Sequence, residues 1–231
     1  MIGIKCLRLT HVKNPRRSTS SLGGTVTVAR DDWYQNADWD AAVAARFEDK
    51  LRRSRNKQRY LRVQATTLAT SHPEVTLDLL ERYFSLGDSL DAALAYQGRA
   101  DAYLALGRTD EAIVAYEAAM RREAARPTVR TWASIEFPYL VAVRDLTAYF
   151  ARALEVLSMR KQGLVFPVIR FKAHAAAALI LAARGEATSA HIEAEAALRA
   201  ANEERSEFER HPKLGLVSEA YSDVIMRLKS L

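Results

Sequence analysis

The sequence predicts an all-α protein, and three observations lead to that prediction. From Asp31 onward, apolar side chains recur every three to four residues, which is the spacing of one helix face. Only nine Gly and six Pro occur in 231 residues, fewer than a turn-rich β protein uses. No stretch of this region alternates apolar and polar residues convincingly, and the β-branched "GLVFPVIRF" contains a proline that argues against a central strand. We expect about nine or ten helices with short connections.

The N-terminal helices have recognisable boundaries. A helix over 38–54 is indicated by four apolar residues spaced by four, Trp39, Val43, Phe47 and Leu51, and Asn36 or Asp38 is its expected N-cap. A second helix follows over 57–70. The run "SHPE" at 71–74 has the pattern of a capping box with Pro in the first turn, which predicts the start of a third helix. Gly87 ends that helix.

The later helices begin and end at the same kinds of residue. Asp88 or Ser89 is the expected cap of a helix that runs to Gly107, and Thr109 is the expected cap of the next, which ends before Pro127. In the region 128–161, Pro138 should kink or shorten a helix. Further helices are predicted from Pro167 to Gly185, over 187–205 and, after a break at His211-Pro212, over 214–230.

The helices repeat. Gly107 and Gly185 are separated by twice a period of roughly 39 residues, a period typical of helical repeat arrays. Small residues occupy matching positions around both glycines: Ala100, Ala112 and Ala119 around the first, Ala178, Ala190 and Ala197 around the second. Small residues at these steps allow two helices to approach closely, while Tyr96, Tyr103 and Tyr116 fill the spaces between neighbouring helix pairs.

This pattern resembles the tetratricopeptide repeat. In the best-matched unit, the family's aromatic and small positions correspond to Tyr96, Ala100, Tyr103, Gly107, Ala112, Tyr116 and Ala119, with the closing proline about three residues late, at Pro127. Weaker units span about 57–86, 128–161 and 174–197. The resemblance implies one domain over 31–231, with about four repeats in 57–201 between a flanking helix at 38–54 and a capping helix at 214–230. Another α-solenoid or a helical bundle is the alternative.

The resemblance also implies a right-handed superhelix of antiparallel helical hairpins, with a concave groove that binds a peptide or a partner helix. The groove residues it indicates are Leu61, Ala65 and Leu68 in the first unit, Leu94, Gln97, Asp101 and Leu104 in the second, and Lys172 and Leu179 in the last. The family's Lys/Asn clamp for a terminal carboxylate is absent, since Gln97 and Asp101 occupy the corresponding positions. These groove positions are mostly small and apolar, and they are equally consistent with burial by the chain's own terminal helix.

Charge is concentrated at two places. Residues 1–30 contain six Lys or Arg and no Asp or Glu, so the remaining 28 basic and 28 acidic residues balance, and the pI of 9.5 gives no argument for nucleic-acid binding by the body. We expect the Ser- and Gly-rich segment 1–30 to be a disordered tail; a basic arm, a transit peptide or a translation start near Val26 or Val28 are alternatives. A second cluster is either a solvated helix end or a docking patch for an acidic partner or RNA: Arg52, Arg53, Arg55, Lys57, Arg59 and Arg62.

Motifs for catalysis and for cofactor binding are missing. The sequence has no glycine-rich phosphate loop, no metalloprotease motif and no nucleophile elbow, and its five histidines show no metal spacing, with His174 expected as a core residue. We therefore expect no enzyme activity, no cofactor, no metal and no nucleic acid. With one cysteine, no secretory signal and no membrane span, the expectation is a cytoplasmic, bacterial protein-interaction adaptor. A toxin-neutralising immunity or regulatory protein, a cryptic helical enzyme and a self-associating scaffold are the alternatives.

Overall fold

A computed structural model of the chain describes residues 32–159 and 164–231, and the predicted tail at 1–30 lies outside them. The described residues contain ten α-helices and no strand, so the all-α prediction is confirmed. The helices are α1 Ala41–Arg53, α2 Lys57–Leu68, α3 Pro73–Ser85, α4 Ala92–Ala105, α5 Thr109–Ala125, α6 Ala133–Val143, α7 Phe150–Met159, α8 Pro167–Ala183, α9 Ala187–Ala201 and α10 Ser222–Lys229. Short 3₁₀ turns, Thr147–Tyr149 and Glu219–Tyr221, precede α7 and α10.

Consecutive helices pack in pairs. The pairs are α2 with α3, α4 with α5, α6 with α7, and α8 with α9, and each pair contacts the next one along the chain. Isolated helices of 10 to 17 residues are marginal in water, so each helix depends on burying its apolar side against its partner and its neighbours. At the C-terminus, α10 packs against α8 and α9.

The turn between the two helices of a pair has one geometry in three of the pairs. Gly107, Asp145 and Gly185 have positive φ angles of 74°, 51° and 80°. The residue after each donates its backbone N–H to a carbonyl five residues earlier, at distances of 2.9 to 3.0 Å. This is the Schellman arrangement, in which a left-handed residue ends a helix. Two of these three residues are glycines and the third is Asp145. A left-handed conformation is unfavourable for a residue that has a Cβ atom.

The turns set the repeat length. The first helix of each pair has its C-cap at Ala69, Leu106, Arg144 and Arg184, and these caps follow one another at steps of roughly 37 to 40 residues, the period of a helical repeat array. The last two steps together equal the separation of Gly107 from Gly185. Asp145 is therefore a third equivalent turn, which lies between the two glycines and which a search for glycine does not find.

Small residues occupy the closest helix contacts. The six alanines that the repeat pattern singled out are all buried: Ala100, Ala112, Ala119, Ala178, Ala190 and Ala197. Gly98 of α4 lies against Thr66 of α2, and a Cβ atom added at this glycine would approach the Thr66 Cγ2 to 2.7 Å. Because even a methyl group is too large here, α2 and α4 pack with almost no space between them. This contact joins the pair α2–α3 to the pair α4–α5.

The local capping predictions were partly wrong. Thr109 is the first residue of α5 and not its cap; its hydroxyl accepts a hydrogen bond from the Arg144 guanidinium. Ser71 does not cap α3 either, since His72 holds that position and the Ser71 hydroxyl donates to the Ala37 carbonyl. In both places the hydroxyl makes a hydrogen bond to a residue from another part of the chain.

The start of α1 and the proline of α6 complete the comparison. The N-cap of α1 is Asp40, rather than Asn36 or Asp38, and its carboxylate accepts from the Val43 backbone N–H at 2.7 Å. Pro138 does lie inside α6, which has 11 residues where α8 has 17. The helix continues for five residues beyond Pro138, so the proline does not end it, and the expected kink or shortening stays a prediction.

Candidate functional site

One face recurs on the first helix of every pair. We define this common face as the residues that lie twelve, nine, five and two positions before the C-cap of each helix. It consists of Lys57, Tyr60, Gln64 and Thr67 on α2; Leu94, Gln97, Asp101 and Leu104 on α4; Ile135, Tyr139 and Ala142 on α6, with its N-cap Trp132; and Lys172, Ala175, Leu179 and Ala182 on α8. What covers this face differs from helix to helix.

On α6 and α8 the C-terminal segment covers the common face. The Tyr221 ring lies edge-on to the rings of Phe171 and Tyr139, with centroids 5.4 and 6.1 Å apart. Further along α10, the Arg227 guanidinium donates to the Val143 carbonyl at 3.1 Å, so α10 extends to the end of α6. Val224 and Leu228 are buried in the same core. The C-terminal segment, through Tyr221 and Arg227, thus covers this part of the face.

Lys172 and Leu179, predicted as groove residues, therefore lie in the interior, and this is a correction. Lys172 is 0% exposed, and its ammonium group donates to both carboxylate oxygens of Glu136 at 2.7 Å. The rings of Tyr139 and Tyr221 also contact this ammonium group, at 5.2 and 5.7 Å from their centroids. Burial raises the pKa of Tyr139 above its usual value. This buried ion pair joins α6 to α8.

On α2 the segment before α1 covers the common face. The side-chain oxygen of Gln64 accepts from the backbone N and Nδ2 of Asn36 at 3.0 and 2.9 Å, and its Nε2 donates to the Asn36 carbonyl at 2.8 Å. The rings of Trp33 and Tyr34 pack on Tyr60, with centroids 4.8 and 4.7 Å apart. Gln64 is fully buried by these contacts. This end of the face is closed as well.

Leu61, Ala65 and Leu68, predicted as groove residues of the first unit, are buried in the core, which is a second correction. The Thr76 hydroxyl of α3 donates to the Ala65 carbonyl at 2.9 Å, so this side of α2 faces its own partner helix. The turn after α2 contains no glycine to fix the alignment. The predicted register was one residue late for that reason, and Tyr60, Gln64 and Thr67 are the true equivalents.

On α4 the common face stays partly open. Leu94, Gln97, Asp101 and Leu104 are all half-buried, as expected for residues that line an accessible surface. Leu90, which sequence reasoning missed as a site residue, lies in the turn just before α4, four residues ahead of Leu94, and is 62% exposed. Together these five residues, at steps of four, three, four and three, are the α4 stripe. The signal that could have found Leu90 is this alternation of four and three, which is the spacing of a helix-pairing seam.

The two polar residues of the α4 stripe are fixed by hydrogen bonds. The Gln97 Oε1 accepts from the backbone N of Trp132 at 2.7 Å, at the N-terminus of α6. The Asp101 Oδ1 accepts from the Tyr116 hydroxyl at 3.0 Å. Trp132 and Tyr116 thus hold both side chains in place, while the three leucines provide the accessible apolar surface. Nothing in this arrangement resembles a nucleophile beside a base.

The predicted basic cluster does not form one free patch. Arg52 and Arg53 both contact Asp49, each at 3.1 Å, and Arg62 contacts Asp91 at 3.1 Å. Arg55, Lys57 and Arg59 are exposed and make no ion pair within the described part of the chain. Exposed pairs of this kind contribute little to stability. Three cations, rather than six, therefore remain for an acidic partner.

Residues 32–159 and 164–231 contain little other candidate chemistry. No group of three or more His, Cys, Asp or Glu side chains in these ranges could hold a metal ion. None of the helices in them combines the length and the apolar character that crossing a bilayer requires. His174, expected in the core, is instead 36% exposed in its side chain, with its Nδ1 2.7 Å from a Glu193 carboxylate oxygen.

Comparison of the chain with protein-family models, with curated proteins and with solved structures gives no match in any of the three.

Proposed function

We propose that the chain is a non-enzymatic protein-interaction module whose α4 stripe binds an amphipathic helix of a partner protein. The observation that carries this proposal is the position of α10. Arg227 of α10 and Tyr221 just before it reach the common face of α6 and α8, whereas no segment of residues 32–159 or 164–231 covers the α4 face in this way, where Leu90 is exposed and Leu94 and Leu104 are half-buried. The face that the C-terminal segment covers on α6 and α8 is suited to receive an amphipathic helix on α4.

The contacts of α10 and of its N-cap residue Tyr221 indicate what a partner helix would supply. An aromatic ring, Tyr221, and two aliphatic residues, Val224 and Leu228, are buried, and Arg227 reaches a helix-end carbonyl. Residues spaced three to four apart are the usual anchors of a helix bound in a groove. A partner helix with aliphatic anchors at this spacing would cover Leu90, Leu94 and Leu104.

Burial of the stripe leucines would contribute to binding. Fully burying one leucine side chain contributes about 1.5–3 kcal/mol relative to leaving it exposed. Leu90 has most of its surface to lose, and Leu94 and Leu104 have part of theirs. Gln97 and Asp101 are already held by Trp132 and Tyr116, so binding costs no further ordering of these side chains.

The repeat geometry supports the wider proposal. The nearly constant step from one pair to the next, with the same turn in three pairs, is consistent with a tetratricopeptide-like right-handed superhelix in which the common face lines the concave side. In that arrangement the chain acts as a bacterial, cytoplasmic adaptor. The segments that cover α2 and α6–α8 would leave one central binding window on α4.

The experiment is a comparative affinity purification from the source cells. The test variant is Leu90→Glu with Leu94→Glu, and the matched control is Val114→Glu with Ile192→Glu, two residues that are 66% and 59% exposed on α5 and α9. Both variants add two negative charges at apolar positions, all of them exposed except the half-buried Leu94. The proposal predicts that the stripe variant loses a partner that wild type and control retain. Retention by the stripe variant, or equal loss from the control, would overturn it.

A further inference from the structure

A second concavity lies between the second helices of two neighbouring pairs, α5 and α7. It is a cleft with a volume of about 600 Å³, and we call it the α5–α7 cleft. Its walls carry Met120 and Ala124 from α5 and Val156 and Met159 from α7. None of these residues belongs to the common face. Clefts of about 300–1,000 Å³ with mainly apolar walls are typical of small-molecule sites.

The cleft lies beside a clamp between the two helices. Arg152 of α7 makes a two-pronged contact to Glu117 of α5 at 2.9 and 3.1 Å. Further along both helices, the side chains of α5 and α7 face each other across the cleft. Pro127, the late proline of the repeat, also lines it.

Within the described ranges, some charged side chains at the cleft have a partner and others form no ion pair. The Glu123 carboxylate accepts from the backbone N and the hydroxyl of Thr131 at 2.9 and 2.7 Å, and Arg152 is engaged by Glu117 and Glu155. Arg121 and Arg130 also line the cleft, and within the described ranges neither forms an ion pair. This leaves two guanidinium groups without a carboxylate beside an apolar cavity.

The neighbouring arginines show the contrast. Arg122 and Arg126, on the same stretch of chain, both contact the Asp88 carboxylate on the other side of α5. Of the three arginines that line the cleft, Arg152 is paired, whereas Arg121 and Arg130 form no ion pair within the described ranges. A guanidinium group matches a carboxylate with two parallel hydrogen bonds, which makes an anion of this kind the complementary ligand.

We propose that the α5–α7 cleft binds one free long-chain carboxylate of about twelve carbons. Its carboxylate contacts Arg121 and Arg130, and its alkyl chain lies between Met120, Ala124, Val156 and Met159. Methionine side chains adapt to irregular apolar ligands, which suits an alkyl chain with many conformations. This site is independent of the α4 stripe, so its failure would leave the protein-interaction proposal intact.

The test uses the full chain and dodecanoate, titrated calorimetrically below the concentration at which micelles form. We expect saturable binding of one molecule per chain, and binding about tenfold weaker for decanoate, because two methylene groups fewer are buried. Dodecyltrimethylammonium, which has the same tail and the opposite charge, should bind about tenfold more weakly or not at all.

Three variants locate the site. Arg121→Gln with Arg130→Gln should weaken dodecanoate binding about tenfold or more, whereas Arg55→Gln with Arg59→Gln, the same charge change elsewhere, should leave it unchanged. Ala124→Trp should abolish binding by filling the cleft. Equal effects of both arginine pairs, binding that survives Ala124→Trp, or no saturable binding would overturn the proposal. An acidic amphipathic peptide that binds more tightly than dodecanoate, and is lost in the same variants, would overturn it in favour of a peptide site.

Discussion

Lys172→Met should destabilise the protein more than an ordinary core substitution. The change keeps most of the side-chain volume but removes the cation that the Glu136 carboxylate contacts with both oxygens at 2.7 Å. Glu136 is 3% exposed, so its charge would remain in the interior without that partner. Breaking a buried ion pair on one side costs about 3–5 kcal/mol, a large share of the roughly 5–15 kcal/mol that stabilises a typical domain.

The double variant Glu136→Leu with Lys172→Met makes the test specific. Removing both charges eliminates the uncompensated group and leaves an apolar contact between α6 and α8, so its stability should lie within about 1 kcal/mol of wild type or above it. The Glu136→Leu single variant should be destabilised like Lys172→Met. The two sites should therefore show a coupling energy of about 3 kcal/mol or more, since they are in direct contact.

The assay is urea unfolding followed by far-UV circular dichroism, with the free energy of unfolding extrapolated linearly to water for all four proteins. Single variants that cost less than about 1 kcal/mol would show that water reaches the pair, which contradicts its burial beneath Tyr221. A double variant as unstable as the sum of the singles would show that the two residues act separately. Either result would refute the reasoning that α10 seals this face.

Three further predictions concern the turns, the closest helix contact and a buried tyrosine. Asp145→Gly should raise the free energy of unfolding by about 0.5–1 kcal/mol, because it relieves the left-handed strain. Gly185→Ala should lower the free energy of unfolding by about 1 kcal/mol. A loss of stability in Asp145→Gly would contradict the equivalence of the turns. Gly98→Ala should lower the free energy of unfolding by about 1–3 kcal/mol. Adding Thr66→Ser, which removes the clashing methyl group, should restore the stability. If the double variant is as unstable as Gly98→Ala, the contact with Thr66 is not the cause of the loss. Burial keeps the pKa of Tyr139 in the folded state above its unfolded value near 10, so the stability of the protein should fall above about pH 10. In urea unfolding at a series of pH values, Tyr139→Phe should make that fall less steep. An unchanged fall in the variant would contradict the role of Tyr139.

The helices themselves were largely predictable from sequence. Their boundaries depend on local signals, such as Pro167 at the start of α8 and Gly107 or Gly185 after a helix, and these act within one turn of the chain. The third turn of this kind was missed because Asp145 adopts a left-handed conformation without being a glycine. Its backbone hydrogen bonds, rather than its residue type, make it equivalent.

The candidate site was only partly predictable. The α4 residues Leu94, Gln97, Asp101 and Leu104 lie on one face and are half-buried, and their role as groove residues stays a prediction. Lys172 does not, because Tyr221, from a segment much later in the chain, lies over it. Helical periodicity identifies which face a residue is on, but it contains no information about a distant segment that covers this face.

The α2 residues failed for a different reason. Without a glycine turn, the alignment of that unit rested on degenerate aromatic positions and was wrong by one residue. One residue rotates a helix by about 100°, enough to exchange a core side for the common face. Tyr60 and Gln64, which the correct register places there, are in turn covered by Trp33 and Asn36.

Site-specific photo-crosslinking tests the central claim most directly. A benzophenone side chain would replace Leu90, Leu94 or Val114 in turn, and the protein would be irradiated in its source cells. The account predicts that Leu90 and Leu94, on the α4 stripe, give crosslinks to the same partner protein and that Val114 on α5 does not. Crosslinks to that partner from Val114 alone, or none from either stripe position, would contradict the account.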